Sequence, residues 1–334
     1  MQAILAVTVP FFALVLAGWL AARLGVLPEA AIPGLNAYLL YFALPCMLLR
    51  FGMSMPVMDL LNPWLLLIYL VCALLIVFFT IAVSLNARVG LKDASFGALV
   101  AAFPNTGYMG VPLLAALLGP AATGPVICSI LADLFVTSSL CIALSQLQST
   151  PSAQGAQGKQ GDSKQRAGGA ALRAVRGALS NPLPWSIALG AVLSAANLRF
   201  LGPVDTVLRM LADSASPVAL FTIGAVLWRA GVHAHNHTAL ADYLPVALIK
   251  LLLHPLLVLG VGTVARSLGA PLSPFQLMVL TLAAALPSAS NVALLTERYG
   301  ADTGRVTRII MTSTVLAFVS FSALAWVFGV RPDG

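Results

Sequence analysis

The sequence predicts an all-α integral membrane protein with ten transmembrane helices. They are expected to form two inverted repeats of five helices, in which helices four and nine are broken and cross. Three observations predict this fold class. Of the 334 residues, 60% are hydrophobic and only 9% are charged, whereas about a quarter of the residues in a soluble protein are charged. The apolar residues form ten segments, and a polar stretch divides these into two sets of five. Little chain remains for a domain outside the membrane, so the membrane domain must carry the function.

The ten apolar segments are each close to the length of a membrane span. A helix that crosses the hydrocarbon core needs about 20 predominantly apolar residues. No basic residue precedes the first segment, which favours a retained span over a cleaved signal peptide. The segments cover residues 3–22, 33–49, 63–86, 94–118, 124–147, 181–197, 210–228, 243–265, 274–296 and 309–328.

The basic residues predict the orientation of the chain. With the N-terminus outside, the inner loops hold twelve Lys and Arg residues and the outer side holds five. Basic residues are enriched in loops that stay on the cytoplasmic side. We therefore expect a multi-pass protein of the bacterial inner membrane, with both termini on the periplasmic side. The net charge of +7 is scattered over these loops, so the lipid bilayer is the expected partner and nucleic acid is not.

A polar segment separates two halves of the chain. Residues 149–169 are rich in Gly, Gln and Ser and contain no large apolar residue, so they cannot bury enough surface to fold. We expect a first repeat over 1–148, a disordered cytoplasmic linker over 149–180 and a second repeat over 181–334. Five spans in each half place the halves in opposite orientations, which is the arrangement of an inverted repeat.

The two halves also share short sequence features. The sequence AAFP at Ala101–Pro104 in segment four recurs as AALP at Ala284–Pro287 in segment nine. Pro45 in segment two has a counterpart in Pro217 in segment seven. Matching spans are therefore interrupted at matching places, which favours a true inverted repeat.

Segment four contains prolines and glycines that a regular helix cannot accommodate. Pro104, Gly107, Gly110 and Pro112 lie within an otherwise apolar stretch. Unwound backbone is tolerated in a membrane only where protein or a polar cavity surrounds it. The helix that restarts after Pro104 would direct unpaired N–H groups and its positive dipole end at this cavity, which favours an anionic ligand.

Segment nine supplies a matching break. Pro287 is followed by Ser288, Ser290 and Asn291. Two such breaks crossing near the middle of the membrane are typical of a transporter's substrate site. The alternative is that the prolines are kinks that only shape helix packing, with Ser and Thr side chains satisfying the freed carbonyls.

Few ionisable side chains lie inside the predicted spans. Asp133, Asp213 and Lys250 are the charged ones, and His254 lies one helical turn after Lys250. A charge in a membrane span is costly and is therefore a functional candidate. Lys250 near either Asp could form a pair whose proton moves with the substrate, or a static ion pair; snorkelling towards the interface is a further alternative. We expect no cofactor and leave proton and sodium coupling open.

A histidine tract is not expected to bind a metal. Its members, His233, His235 and His237, lie in an inner loop at alternating positions without Cys or fixed acidic partners.

Four stretches of this chain, taken in order, resemble the auxin efflux carrier family in its bacterial branch, a relative of the bile acid symporter superfamily. The resemblance covers nearly all ten spans. The stretches are Val26–Glu29 with Phe42–Pro45, Asn105–Leu113, Ala212–Gly224, and Ala285–Gly300.

The resemblance implies a fold and a function. Spans one, two, six and seven would form a scaffold, the crossed spans four and nine would belong to a transport unit, and homodimers would pack through the scaffold. The substrate would be an organic anion, and a small carboxylate such as malonate or malate is favoured because few aromatic residues flank the breaks. The long regulatory loop of the plant members is absent from this sequence.

The same resemblance supplies candidate substrate-binding residues. The carboxylate of the substrate would lie at the two breaks, with the interruption of span two nearby. The candidates are Pro104, Asn105, Thr106, Gly107, Pro287, Ser288, Ser290, Asn291, Pro45 and Cys46.

Two other classes of function remain as alternatives to a carrier. An anion or water channel can also be built from inverted repeats with broken helices. An intramembrane enzyme is disfavoured, because Asp133 lacks the Gly-flanked motif of an aspartyl protease and neither Ser129 nor Ser290 has a histidine nearby in sequence. We therefore expect a secondary carrier that works by alternating access and not an enzyme.

Overall fold

The computed structural model describes residues 1–54, 62–147, 182–233 and 238–331. Over these ranges the chain forms helices joined by short connections. The predicted linker at 149–180 lies outside the described residues, as do His235 and His237 of the histidine tract.

The helices follow the apolar segments of the sequence. Seven of those described are long and apolar enough to cross a membrane, namely α1, α2, α3, α6, α8, α9 and α12, while α5, α7 and α10 are shorter apolar helices. This confirms the prediction of an all-helical membrane protein. The helices are α1 (Gln2–Arg23), α2 (Glu29–Ser54), α3 (Pro63–Ser84), α4 (Leu91–Ala102), α5 (Thr106–Leu118), α6 (Pro120–Ser145), α7 (Pro182–Ala195), α8 (Gly202–His233), α9 (Leu240–Ser267), α10 (Pro274–Ala284), α11 (Val292–Tyr299) and α12 (Thr303–Val327).

Segments four and nine are interrupted close to their prolines. Helix α4 ends at Ala102, and Phe103 has extended backbone angles directly before Pro104. This is expected because the ring of a proline disfavours helical angles at the preceding residue. Helix α10 ends at Ala284, three residues before Pro287, and α11 begins at Val292. Both breaks predicted from the sequence are therefore present.

Helices α1, α2, α7 and α8 pack together as one group, which we call the scaffold helices. Helix α1 lies along α8, where a Cβ atom on Gly18 would stand 1.8 Å from the carbonyl oxygen of Phe221. A Cβ atom on Gly224 would stand 1.9 Å from the carbonyl oxygen of Val15. Small residues of this kind let helix backbones approach closely in membranes.

Helices α2 and α7 also approach each other closely at glycines. A Cβ atom on Gly52 would lie 2.7 Å from the carbonyl oxygen of Ile187, and one on Gly190 would lie 2.4 Å from that of Leu49. In each scaffold pair, the two helices therefore contact each other through their backbones at glycines. One helix of each pair comes from the first half of the chain and the other from the second half.

The remaining helices form a second group around α3, α4, α6, α9, α10 and α12. Arg305 at the start of α12 joins three of them, and its Nη1 donates to the carbonyl oxygen of Asp93 at 2.9 Å while its Nε donates to that of Asp242 at 2.8 Å. Arg305 is one of the twelve basic residues that the sequence analysis counts in the inner loops, and in the structure it is only 2% exposed. Gly97 provides the space, because a Cβ atom there would lie 2.5 Å from Nη1 of Arg305.

Candidate functional site

The two helix breaks cross each other and are joined by backbone hydrogen bonds. The N–H of Asn105 donates to the carbonyl oxygen of Pro287 at 2.8 Å, and the N–H of Ala289 donates to that of Phe103 at 3.0 Å. Together they form an antiparallel bridge between Pro104 and Ser288. Each break thereby satisfies backbone groups that the other leaves free, as a membrane interior requires. We call residues 103–107 and 286–291 the crossover.

Polar side chains at the crossover are buried. Asn105 is 3% exposed and Ser290 8% exposed, while Thr106 is fully buried. Asn291 is half-buried, and its Oδ1 is buried without a hydrogen-bond partner among the described residues. Most buried side-chain polar atoms in proteins have a partner, so this amide is a group to which a ligand could bind.

Three of the predicted binding residues hold the crossover together. The hydroxyl of Ser288 donates to the carbonyl oxygen of Val100 at 2.7 Å, and its N–H donates to Oγ of Ser313 at 3.2 Å. The carbonyl oxygens of Pro104 and Pro287 both accept backbone hydrogen bonds. The hydroxyl proton of Ser288 is thus already used within the protein.

The first turn of α5 borders open space. Gly107 is half-buried, and apart from its chain neighbours and the backbone of its own helix no atom lies within 4 Å of the position that a Cβ atom would occupy there. Gly110, one turn later, is closely packed, since its Cβ atom would lie 2.6 Å from Cδ1 of Leu286. The first N–H groups of a helix lack partners within the helix. A small anion beside Gly107 could therefore reach the N-terminal end of α5.

Two cavities lie between the scaffold helices and the half-helices of the crossover. A cavity of about 460 Å³ is bounded by α1, α2, α5 and α8, and its polar lining residues are Arg50, Asp213 and Ser216. We call it the Arg50 cavity. A cavity of about 320 Å³ is bounded by α2, α8 and α11 and contains Glu29, Arg229 and Glu297. This Arg229 cavity lies at the opposite end of α2.

Two further predicted residues lie on the scaffold. Pro45 and Cys46 are half-buried on α2, directly before Met47, which lines the Arg50 cavity. Asp213 on α8 is exposed and lines the same cavity. The structure therefore places Asp213 at the surface of this cavity and not in the buried interior.

Asp133 lies in a buried polar cluster on the other group of helices. The residue is fully buried on α6, and its Oδ2 accepts a hydrogen bond of 2.7 Å from the hydroxyl of Tyr69 on α3. The hydroxyl of Thr137 donates to Oδ1 at 3.1 Å. The sequence reasoning missed Tyr69, although a tyrosine in the middle of an apolar span could have indicated a polar partner.

Lys250 and His254 are fully buried beside this cluster. Nζ of Lys250 lies 3.2 Å from Nδ1 of His254 and donates to the carbonyl oxygen of Ala284 at 2.7 Å. The ring of His254 packs 5.8 Å from that of Tyr69. Because Ala284 ends α10, the ammonium group binds the carbonyl end of a half-helix at the crossover, where a positive charge is favourable.

Asp133 and Lys250 interact electrostatically but are not in direct contact. In the part of the chain that the structure describes, Arg50 with Asp205 is the only ion pair. We call Tyr69, Asp133, Thr137, Lys250 and His254 the buried polar cluster.

Four π turns interrupt the described helices; three contain a residue that the sequence predicts at the site, and the fourth ends two residues before Pro45. Such turns occur frequently at functional sites because they displace the helix backbone locally. They lie at Leu39–Ala43, Thr106–Gly110, Asp133–Thr137 and Ile249–Leu253.

Comparison with known proteins assigns the chain to a family. A family model described as "Membrane transport protein" matches residues 3–325. The chain belongs to this family. It is the family of the auxin efflux carriers, which confirms the resemblance seen in the sequence.

Relatives of the chain are also named as transporters. The chain is 29% identical over 332 residues to a Rhizobium meliloti protein named "Putative malonate transporter", covering 98% of this chain and 96% of that protein. It is 27% identical to an "Uncharacterized transporter" of Methanothermobacter thermautotrophicus, with 92% of each chain covered. It is 26% identical to the "Uncharacterized transporter YfdV" of Escherichia coli K12, covering 72% of this chain and 69% of that protein. These names favour membrane transport over catalysis.

Proposed function

We propose that this protein is a secondary carrier that moves a small organic anion, a mono- or dicarboxylate, across the membrane by alternating access. The observation that carries this proposal is the backbone-paired crossing of two helix breaks. The crossing leaves the amide oxygen of Asn291 unpartnered among the described residues and leaves open space at Gly107. The N–H groups at the N-terminal end of α5 and the side-chain N–H groups of Asn105 and Asn291 would donate to a carboxylate, while the oxygen of Asn291 would accept from a protonated acid or a water molecule.

The packing supports an inverted repeat of ten spans. Exchange of the two halves relates the pair formed by α1 and α8 to the pair formed by α7 and α2, and both pairs meet at glycines. The two halves also carry similar short sequences at the two cavities. Arg50 in Leu49–Gly52 (LRFG) lines the Arg50 cavity, and Arg229 in Trp228–Gly231 (WRAG) lines the Arg229 cavity. Related cavities with an arginine at each end of the scaffold support access to the crossover from either side in turn.

The relative named as a malonate transporter supports a small dicarboxylate as the substrate class. The buried polar cluster is the proposed coupling element, because Lys250 joins it to α10 at the crossover. The proposed carrier lies in the bacterial inner membrane as a homodimer that packs through its scaffold helices.

Reconstitution tests this function. In proteoliposomes we expect saturable uptake of radiolabelled malonate, succinate or acetate that is accelerated by the same anion inside the vesicles. Gly107→Val should reduce this uptake because its side chain fills the open space at the crossover. Gly34→Val is the matched control, since that glycine also has open space around it but lies at the start of α2. Flux that does not saturate would indicate a channel, and no uptake of any of the three anions would contradict the proposal.

The orientation of the chain is a separate prediction. Cysteines introduced at Ser152 and Ala301, in a protein without its native cysteines, should resist impermeant thiol reagents in whole cells. The basic residues predict that both positions are cytoplasmic. Ser267→Cys, at the end of α9, should be labelled readily and serves as the outer control. Labelling of Ser152→Cys or Ala301→Cys in intact cells would contradict the predicted orientation.

A further inference from the structure

Arg50 lines both the Arg50 cavity and a wider cavity beside it. It lies near the end of α2, and its side chain is 33% exposed. It is the only basic residue among the described residues that line this cavity. Arg50 and its neighbour Phe51 also line the wider cavity that adjoins it between α2, α7 and α8. A solute moving from the wider cavity to the Arg50 cavity would therefore pass the guanidinium group.

The guanidinium group of Arg50 is only partly used by the protein. Its Nη1 donates both to Oδ1 and to the carbonyl oxygen of Asp205 on α8. Within the described ranges, Nε and Nη2 make no hydrogen bond. These two nitrogens present parallel N–H groups, which is the arrangement that binds the two oxygens of a carboxylate.

Another wall of the cavity is formed by the half-helix that begins at the crossover. Pro112, Ala115 and Ala116 form one wall, and all three belong to α5, the half-helix whose first turn contains Gly107. A volume of about 460 Å³ is within the range of small-molecule binding sites. The small side chains on this wall leave the space clear between Arg50 and the half-helix.

We infer that Arg50 receives the carboxylate of the transported anion in the Arg50 cavity, before the anion reaches the crossover. This inference rests on the proposed function and names a further residue that selects for anions. Asp205 holds the guanidinium group in place through Nη1, and the incoming carboxylate binds the free edge formed by Nε and Nη2. Because the carboxylate of Asp205 also competes for the positive charge, its removal should strengthen anion binding.

A purely structural ion pair between α2 and α8 would behave differently. Arg50 and Asp205 are both partly exposed, and such pairs contribute little to stability. If the pair only joined the two helices, removal of either partner should have the same effect. Anion capture instead predicts opposite effects for the two partners.

Two substitutions at Arg50 and one at Asp205 test the inference. We expect Arg50→Gln to raise both the Kd for malonate, measured by calorimetry, and the KM for uptake in proteoliposomes. The rise should be roughly 10- to 100-fold, as expected for loss of a hydrogen bond to a charged group. Arg50→Lys should give an intermediate rise, because it keeps the charge but loses the paired N–H groups. Asp205→Asn should lower both Kd and KM, because it removes the carboxylate that competes for the guanidinium group.

The control is Arg209→Gln, which removes the same charge from an exposed position on α8 and should leave both constants unchanged. Succinate or acetate replaces malonate as the probe if wild-type vesicles take up one of these instead. If the wild-type protein transports the anion and Arg50→Gln leaves Kd and KM unchanged, this inference is overturned and the proposed function still stands. Equal losses in Arg50→Gln and Asp205→Asn would also overturn it, in favour of a structural ion pair. Lack of transport of all three anions by the wild-type protein would remove the proposed function, and this inference with it.

Discussion

Replacement of Asp133 by alanine is expected to lower the free energy of unfolding by about 2 to 6 kcal/mol, because each buried donor left without an acceptor costs about 1 to 3 kcal/mol. The substitution leaves the hydroxyls of Tyr69 and Thr137 without their acceptor. It also removes the carboxyl group that interacts electrostatically with Lys250, which is itself fully buried. Thermal unfolding of the purified protein in detergent measures the loss.

Asp133→Asn separates the charge from the hydrogen bonds. The amide oxygen can still accept from Tyr69, and the hydroxyl of Thr137 can accept from the amide N–H. We expect this variant to fold and to exchange substrate, but to lose accumulation driven by a pH gradient. The titratable groups that interact with this carboxyl are Tyr69, Cys141 and Lys250. Cys72 interacts with Tyr69, and His254 interacts with Lys250.

Two comparisons make this result decisive. Asp213→Asn changes an exposed carboxylate at the Arg50 cavity and should alter the free energy of unfolding by no more than about 0.5 kcal/mol. A double-mutant cycle of Asp133→Asn with Lys250→Met measures the coupling between the two residues. If Asp133→Asn and Asp213→Asn both keep the full response to a pH gradient, neither acid carries a coupling proton. Transport driven by sodium or by the substrate gradient alone would then be indicated.

Replacement of Asn105 by alanine should weaken substrate binding by about 1 to 3 kcal/mol, or roughly 5- to 150-fold. The amide side chain is buried at the crossover and offers both a donor and an acceptor. Its backbone N–H, which donates to Pro287, is retained in the variant, so the crossing itself should persist. The affinity for malonate and the KM for uptake are the quantities to measure.

Asn105→Asp tests whether the substrate is an anion. The side chain keeps its shape but gains a negative charge, so a carboxylate substrate should bind even more weakly than to Asn105→Ala. Asn291→Ala should resemble Asn105→Ala, because it removes the amide N–H group that would donate to a carboxylate at the crossover. Wild-type affinity in a folded Asn105→Ala protein would show that this amide does not orient the substrate. Equal affinity of Asn105→Asp and Asn105→Ala would argue against an anion at this position.

The buried polar cluster shows the limit of sequence reasoning at the candidate site. Costly charges inside apolar segments identified Asp133, Lys250 and His254 as candidates, because a membrane interior makes such residues conspicuous. Their partners could not be identified in this way. Tyr69 is 64 residues from Asp133, and Ala284 is 34 residues from Lys250. Hydropathy carries no information about which helices become neighbours.

Whether a single charged residue is buried or exposed likewise depends on how the helices pack. Asp213 and Asp133 both lie in apolar segments, yet Asp213 lines a cavity while Asp133 is fully buried. Arg305 and Arg50 both lie near the ends of apolar segments, yet Arg305 is enclosed by the neighbouring helices α3, α4 and α9. Arg50 instead remains partly exposed. Whether a charge meets water, a cavity or a neighbouring backbone is decided by the helices around it.

The sequence by itself determined that this is a membrane protein, where its helices lie and where two of them break. It also determined the family, through the motifs at those breaks. These properties are local, because hydropathy and the missing N–H of proline act over a few residues. Only the tertiary structure decided that the two breaks cross and exchange backbone hydrogen bonds, since Asn105 and Pro287 are far apart in the chain. It alone set Lys250 against the end of α10, because backbone groups freed in a membrane must find partners wherever the fold brings them.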